Sequence, residues 1–188
     1  LPHDKGETYQ FCMADYAPKE AHMVAGTKVK VINVMCRLFM ELLDDPFKAV
    51  ERELPMGAPK PGGYGAVIID VHGEATSEKM AMGHLADGKA SLVVGTHTHV
   101  PTGDAHILEH GTGYQTDAGM CGDYNSVIGM EKSAALQRFR RRFPSPRLTP
   151  AEGEATLCGT FLETDDATGL ARRISPVRVG GRLQEQLP

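Results

Sequence analysis

His97, Thr98 and His99 set two imidazoles one residue apart. They follow Ser91-Leu92-Val93-Val94-Gly95, an apolar, β-branched run closed by glycine, which predicts a buried strand ending in a turn. His72 ends a second such run, Ala66-Val67-Ile68-Ile69-Asp70-Val71. Imidazole nitrogen suits zinc, iron, manganese and copper. Three histidines at the C-terminal ends of two adjacent apolar strands therefore point to a metal centre. That edge of an open α/β sheet is also the usual place for a ligand.

A metal that activates water keeps one coordination position open, and bound water then loses its proton near neutral pH. A two-metal centre also offsets charge on a phosphoryl group and needs a bridging oxygen ligand, usually a carboxylate. Asp70 lies two residues before His72, on the same side of its strand. Asp104 and Asp117 fall in nearby loops. Spacing alone selects none of the three as the bridge. Each histidine taken singly also reads as a hydrogen-bonded turn residue, and His3, His22, His84, His106 and His110 are read that way or as surface residues. Glu74 and Lys79 flank a helix start beside His72; they read as a first-turn acid and a solvated lysine, or else as groups that orient His72. The arginines at 138, 140, 141 and 142 read as a helix C-terminus complementing its dipole, or as an RNA-facing patch without an aromatic platform.

The elements that position these residues follow from periodicity. Thr27 to Met35 predicts a strand entering a core. Asp45-Pro46 predicts a helix start, with Asp as N-cap, Pro at the first position, and Phe47, Val50 and Leu54 on one face. Pro55 to Tyr64 reads as a surface loop before a strand over 65–71. A helix is expected over Ser77 to Gly88 with Met80, Met82 and Leu85 as its apolar residues, then strands over 91–95 and Ala105 to Leu108. Tyr114 to Gly129 reads as turn-rich and too polar for the core. Glu131 to Arg142 is expected to be helical, with Ala134, Ala135, Leu136 and Phe139 on its apolar side. Thr156 to Thr164 and Leu170 to Val179 predict a hairpin. Strands alternating with helices before that hairpin indicate a layered α/β fold.

Composition sets the bounds. The chain has 188 residues, 41% hydrophobic and 23% charged, with a net charge of −4. This is ordinary for one globular domain, and no global field favours nucleic acid or an anionic membrane. No apolar run approaches the roughly 20 residues that span a bilayer, and the first ten residues lack an export pattern. Cys12, Cys36, Cys121 and Cys158 form no C-x-x-C pair and read as reduced cysteines. The expected location is the cytoplasm.

Several blocks occur in a recognisable order: Asp44-Asp45-Pro46-Phe47, then Asp70-Val-His72-Gly-Glu74-Ala-Thr-Ser77-Glu-Lys79, Gly95-Thr-His97-Thr-His99-Val, Thr116-Asp117-Ala-Gly119-Met120 and Ser126-Val-Ile-Gly129-Met130. Together they closely resemble the YmdB-type bacterial branch of the calcineurin-like metallophosphoesterases. The resemblance runs from about Val29 to Phe139 and on through the hairpin to about Val179; residues 1–26 match poorly.

The resemblance implies a metallophosphoesterase-like β-sandwich flanked by helices (αββα), with 1–188 as a single domain whose 151–188 hairpin belongs to it. It implies phosphoester hydrolysis at a dinuclear centre. The metals are iron or manganese, with zinc or magnesium as alternatives, and the substrate is a small phosphodiester such as a cyclic nucleotide. By motif position, His72 and His97 resemble ligands of one metal and His99 a ligand of the other. Nucleic acid enters only as RNA-derived nucleotide, no membrane is involved, and a homo-oligomer is expected. The family's opening blocks, G-D-x-V-G, N-G-E-N and G-N-H-T-W-D, do not occur in these residues. The domain is thus expected to be incomplete at its N-terminus, with an exposed apolar strand edge and weak metal binding. A non-catalytic binding or assembly module is the alternative. Cys36 and Gly73 stand where the family tends to have Gly and Ala.

Overall fold

The computed structural model describes residues 21–24, 27–40, 43–140 and 147–188; for 21–24 and 27 it describes the backbone path. The expectations on His3, Cys12, Arg141 and Arg142, and on the side chain of His22, lie outside the described residues.

Strand β1 (Ala21–Val24) leads into β2 (Thr27–Met35), and α1 (Pro46–Glu53) crosses to β3 (Ala66–His72). Helix α2 (Thr76–Ala86) crosses to β4 (Leu92–Thr96), followed by β5 (His106–Ile107) and β6 (Gly113–Gln115). Helix α3 (Lys132–Arg140) precedes the hairpin β7 (Leu157–Thr164) and β8 (Ala171–Val179). The main sheet has six strands in the order β1-β2-β3-β4-β6-β5. β2, β3, β4 and β6 run parallel, and the edge strands β1 and β5 pair antiparallel. The expected mixed α/β layering holds: a mainly parallel sheet carries helices, and β7–β8 forms a second, smaller sheet.

Local signals explain the crossovers. Asp45 caps α1, its Oδ1 accepting from the amides of Phe47 and Lys48 at 3.0 and 3.3 Å, and Pro46 opens the helix where its missing N–H costs nothing. α1 and α2 contribute Val50, Met82 and Ala86 to a core shared with Ile32, Val34, Val67, Ile69, Val71 and Val93. Alternation along β3 then turns Ile68, Asp70 and His72 to the opposite face. The hairpin docks through polar and backbone bonds as well as packing. Thr160 Oγ1 donates to Gln115 Oε1 at 2.7 Å, and the Ala171 amide to the Gly111 carbonyl at 2.8 Å.

Three expectations need correction. Tyr114 to Asp117, read as too polar for the core, are buried, and Gly113–Gln115 forms β6. Their polar groups are satisfied internally: Gln115 Nε2 donates to the carbonyls of Thr102 and Asp117, and Tyr114 Oη pairs with Thr116 Oγ1. In α2 the buried face is Lys79, Met82, Gly83 and Ala86, whereas Met80 is exposed. In α3, Ala134 and Ala135 are buried, but Leu136 and Phe139 are 53% and 81% exposed. Beyond the stretch of β2 paired with β1, which ends at Lys30, the outer side of β2 carries no strand among the described residues. No helix among them is long and apolar enough to cross a membrane.

Candidate metal centre

Parallel register brings the candidate residues together. Met35 pairs with His72, and His72 with Thr96, so three strands end in one row. His97 and His99 follow directly from β4. Both adopt left-handed backbone, with φ of 105° and 65°, which is uncommon for residues with a Cβ. Gly95 lets the end of β4 lie close against the chain after β6: a Cβ there would meet the Thr116 carbonyl oxygen at 1.7 Å.

His72 and His97 meet. Nε2 of His72 lies 3.2 Å from Nδ1 of His97, with the rings nearly perpendicular. Each ring's other nitrogen has a partner. Thr96 Oγ1 donates to Asp70 Oδ1 at 2.9 Å, which leaves the hydroxyl oxygen to accept from His72 Nδ1 at 3.1 Å. Asn33 Nδ2 donates to the second Asp70 oxygen at 2.6 Å. Glu74 Oε2 sits 3.3 Å from His97 Nε2. His99 does not join the pair; its Nδ1 donates to the Ile128 carbonyl at 2.8 Å. These partners assign the protons to Nδ1 of His72, Nε2 of His97 and Nδ1 of His99. Burial, then the neighbouring His97 and Lys79, hold the His72 imidazole below the ordinary histidine range. Burial pushes Asp70 up, against the hydrogen bonds from Thr96 and Asn33.

The donor pair fits a cation. With those protons, the two facing nitrogens both present lone pairs. Two nitrogens sharing an ion at about 2.1 Å lie roughly 3.0–3.4 Å apart for ligand angles between about 90° and 109°. The set is nevertheless incomplete: among the described residues, no group of three or more His, Cys, Asp or Glu side chains comes together to hold a metal ion.

The three acids that spacing does not rank are all engaged elsewhere. Both oxygens of Asp70 accept from Thr96 and Asn33. Asp104 accepts from the amide and hydroxyl of Thr116. Asp117 accepts from Lys79 Nζ at 3.0 Å and the Thr98 amide at 3.0 Å on one oxygen, and from the Gly119 amide at 2.9 Å on the other. Lys79 is not the solvated lysine expected. It is 0% exposed and paired with Asp117, which is 1% exposed, and its Nζ also donates to the Thr96 carbonyl at 2.7 Å. The helix period carries the signal, since 79, 82, 83 and 86 share one face. Glu74 touches His97 rather than His72.

The other expected residues are ordinary. His84, His106 and His110 are exposed, the last beside Asp87 at 3.0 Å. Among the described residues, Cys121 and Cys158 are free thiols, and Cys36 is buried. Arg138 and Arg140 occupy the last turn of α3.

The chain is similar to several known proteins. A Bacillus subtilis (strain 168) protein named 2′,3′-cyclic-nucleotide 2′-phosphodiesterase is 46% identical over 154 residues, 82% of this chain and 57% of that protein. A crystal structure of a hypothetical protein from Thermus thermophilus superposes with a TM-score of 0.76 at 43% identity, over 86% of this chain and 61% of that one. A structure described as a novel phosphatase from Mycoplasma pneumoniae superposes with a TM-score of 0.72 at 28% identity, over 85% of this chain and 56% of that one. The chain thus spans less than two thirds of the length of each of these relatives. The YmdB-like protein model matches residues 15–177, so the similarity starts within the stretch 1–26 that is expected from sequence to match poorly. With that match covering most of its length, the chain belongs to the family of YmdB-like proteins.

Proposed function

We propose that the protein is a metal-dependent phosphoester hydrolase acting on 2′,3′-cyclic nucleotides or related small phosphodiesters at a dinuclear site. One observation carries the reading. Each of His72, His97 and His99 has one ring nitrogen engaged by a hydroxyl, a carboxylate or a backbone carbonyl, which leaves the other for a cation. Histidines that ligate metals are characteristically fixed in this way. His72 and His97 would hold one ion and His99 the second, with iron or manganese preferred over zinc or magnesium. Such ions, when bound, supply positive charge that offsets the charge building on a phosphoryl group. The residues of the chain orient that site: Asp70 and Thr96 aim His72, and Glu74 aims His97. The name of the Bacillus relative supports a cyclic nucleotide as substrate. With this reading go one domain over 1–188, a cytoplasmic location and a homo-oligomer.

A second reading is a binding or assembly module that keeps the fold without the chemistry. It is favoured by the engagement of Asp70, Asp104 and Asp117, each of which already accepts hydrogen bonds on both carboxylate oxygens. Metal analysis of the purified protein, paired with hydrolysis of 2′,3′-cyclic AMP, separates the two. The hydrolase carries stoichiometric metal and loses hydrolysis on His97→Ala while remaining folded. A metal-free, folded and inactive wild type supports the module instead.

A further inference from the structure

The H-T-H turn holds two positive-φ histidines on either side of Thr98. Non-glycine residues in that region are strained and persist only where their surroundings over-determine them. Tyr124 Oη donates to the His99 carbonyl at 3.2 Å and His99 Nδ1 to the Ile128 carbonyl, but the entrance and centre of the turn rest on a buried ion pair. Lys79 Nζ reaches the carbonyl of Thr96, just before the turn, at 2.7 Å. Asp117 receives the Thr98 amide, at the centre of the turn, at 3.0 Å. Lys79 and Asp117 meet at 3.0 Å. Asp117 is itself anchored: its backbone amide donates to Thr102 Oγ1 at 2.9 Å, and its second carboxylate oxygen takes the Gly119 amide. The pair therefore ties α2 and the segment after β6 to the entrance and the centre of the turn.

We propose that Lys79 and Asp117 are positioning residues, whose buried pair imposes the left-handed backbone at His97 and His99 and so sets the approach of His97 to His72. A buried ion pair is weak evidence for stability, because two charges must leave water and an apolar pair of similar volume often serves the fold as well. What an apolar pair cannot supply is an acceptor for the Thr98 amide, or the second donor to the Thr96 carbonyl, which the Gly73 amide also reaches at 3.2 Å. This inference rests on the metal reading only for its functional consequence; its geometric content stands alone.

The test is the double variant Lys79→Met/Asp117→Leu, which removes both charges together and leaves neither stranded, with Asp117→Ala, which removes the acceptor of the Thr98 amide, as a second variant. Two readouts are needed: a crystal structure of the variant that remains folded, and Mn²⁺ affinity by calorimetry on wild type and variant. The expected result is a return of His97 or His99 to negative φ, a widened gap between His72 Nε2 and His97 Nδ1, and Mn²⁺ affinity reduced by about tenfold or more. A folded variant that keeps both positive φ angles and the wild-type gap overturns the proposal, whatever its metal affinity. If wild-type protein binds none of Mn²⁺, Fe²⁺, Zn²⁺ and Mg²⁺, the hydrolase reading fails, while the crystal structure still decides the role of the pair.

Discussion

Cys36 occupies the space that a side chain at residue 73 would require. A Cβ built on Gly73 would lie 2.3 Å from Cys36 Cβ and 2.6 Å from its Sγ. The two residues meet because the Cys36 amide donates to the His72 carbonyl at 2.8 Å, continuing the β2–β3 ladder by one residue. The small residue at 73 and the larger one at 36 therefore share one volume.

Gly73→Ala alone should destabilise the protein by about 1–3 kcal/mol through overpacking. Cys36→Gly/Gly73→Ala should recover much of that loss. A double-mutant cycle by urea denaturation measures the coupling, and additive effects would show that the two sites do not share the space.

Gly95→Ala is expected to be more damaging, because the new methyl meets the Thr116 carbonyl oxygen at 1.7 Å and Lys79 Cδ at 2.8 Å. Backbone cannot retreat as a flexible side-chain tip can. The cost should reach or pass the top of the roughly 1–3 kcal/mol range for overpacking, read as a lowered thermal midpoint or as loss of soluble protein.

Asp165 provides the pH prediction. Hydrogen bonds from the Thr168 amide, then the Ala167 amide and the Thr168 hydroxyl, with Arg172 beside it, hold its carboxyl down at about 2. A depressed carboxylate stabilises the fold above its unfolded value, and that contribution is lost as pH falls through the folded value. The contribution of Asp165 should therefore be complete above its ordinary 3.8 and vanish toward about 2. Carbon-detected NMR titration of the side-chain carboxyl checks it, and Asp165→Asn should remove this part of the acid dependence. A midpoint near the ordinary value would contradict the β7–β8 turn geometry.

Leu136 and Phe139 project from α3 at 53% and 81% exposure. Replacing either by Lys should shift monomer stability by no more than about 0.5 kcal/mol, as for other surface positions. Chemical denaturation at low protein concentration measures this. A loss typical of core residues would place them in a packed interface.

Much of the fold is legible because burial and period coincide. β3 alternates cleanly, Asp45-Pro46 marks the start of α1, and the turn at Asp165 to Gly169 separates two strands. β6 is not legible: Tyr114 and Gln115 look like loop residues until Thr102, Asp117, Thr116 and Thr160 are seen to satisfy them. Lys79 misleads for a similar reason, since its charge suggests water and only its helical phase suggests the interior.

The sequence by itself determined that three histidines end two neighbouring strands, because apolar periodicity and glycine punctuation fix where strands stop. Tertiary structure decided which of them meet. It placed His72 against His97, turned His99 to the Ile128 carbonyl, and committed Asp70 and Asp117 to holding the site. Those outcomes depend on parallel register and on partners from distant segments. Hydrogen bonds across 19 to 38 residues of chain leave no local signature for spacing to reveal.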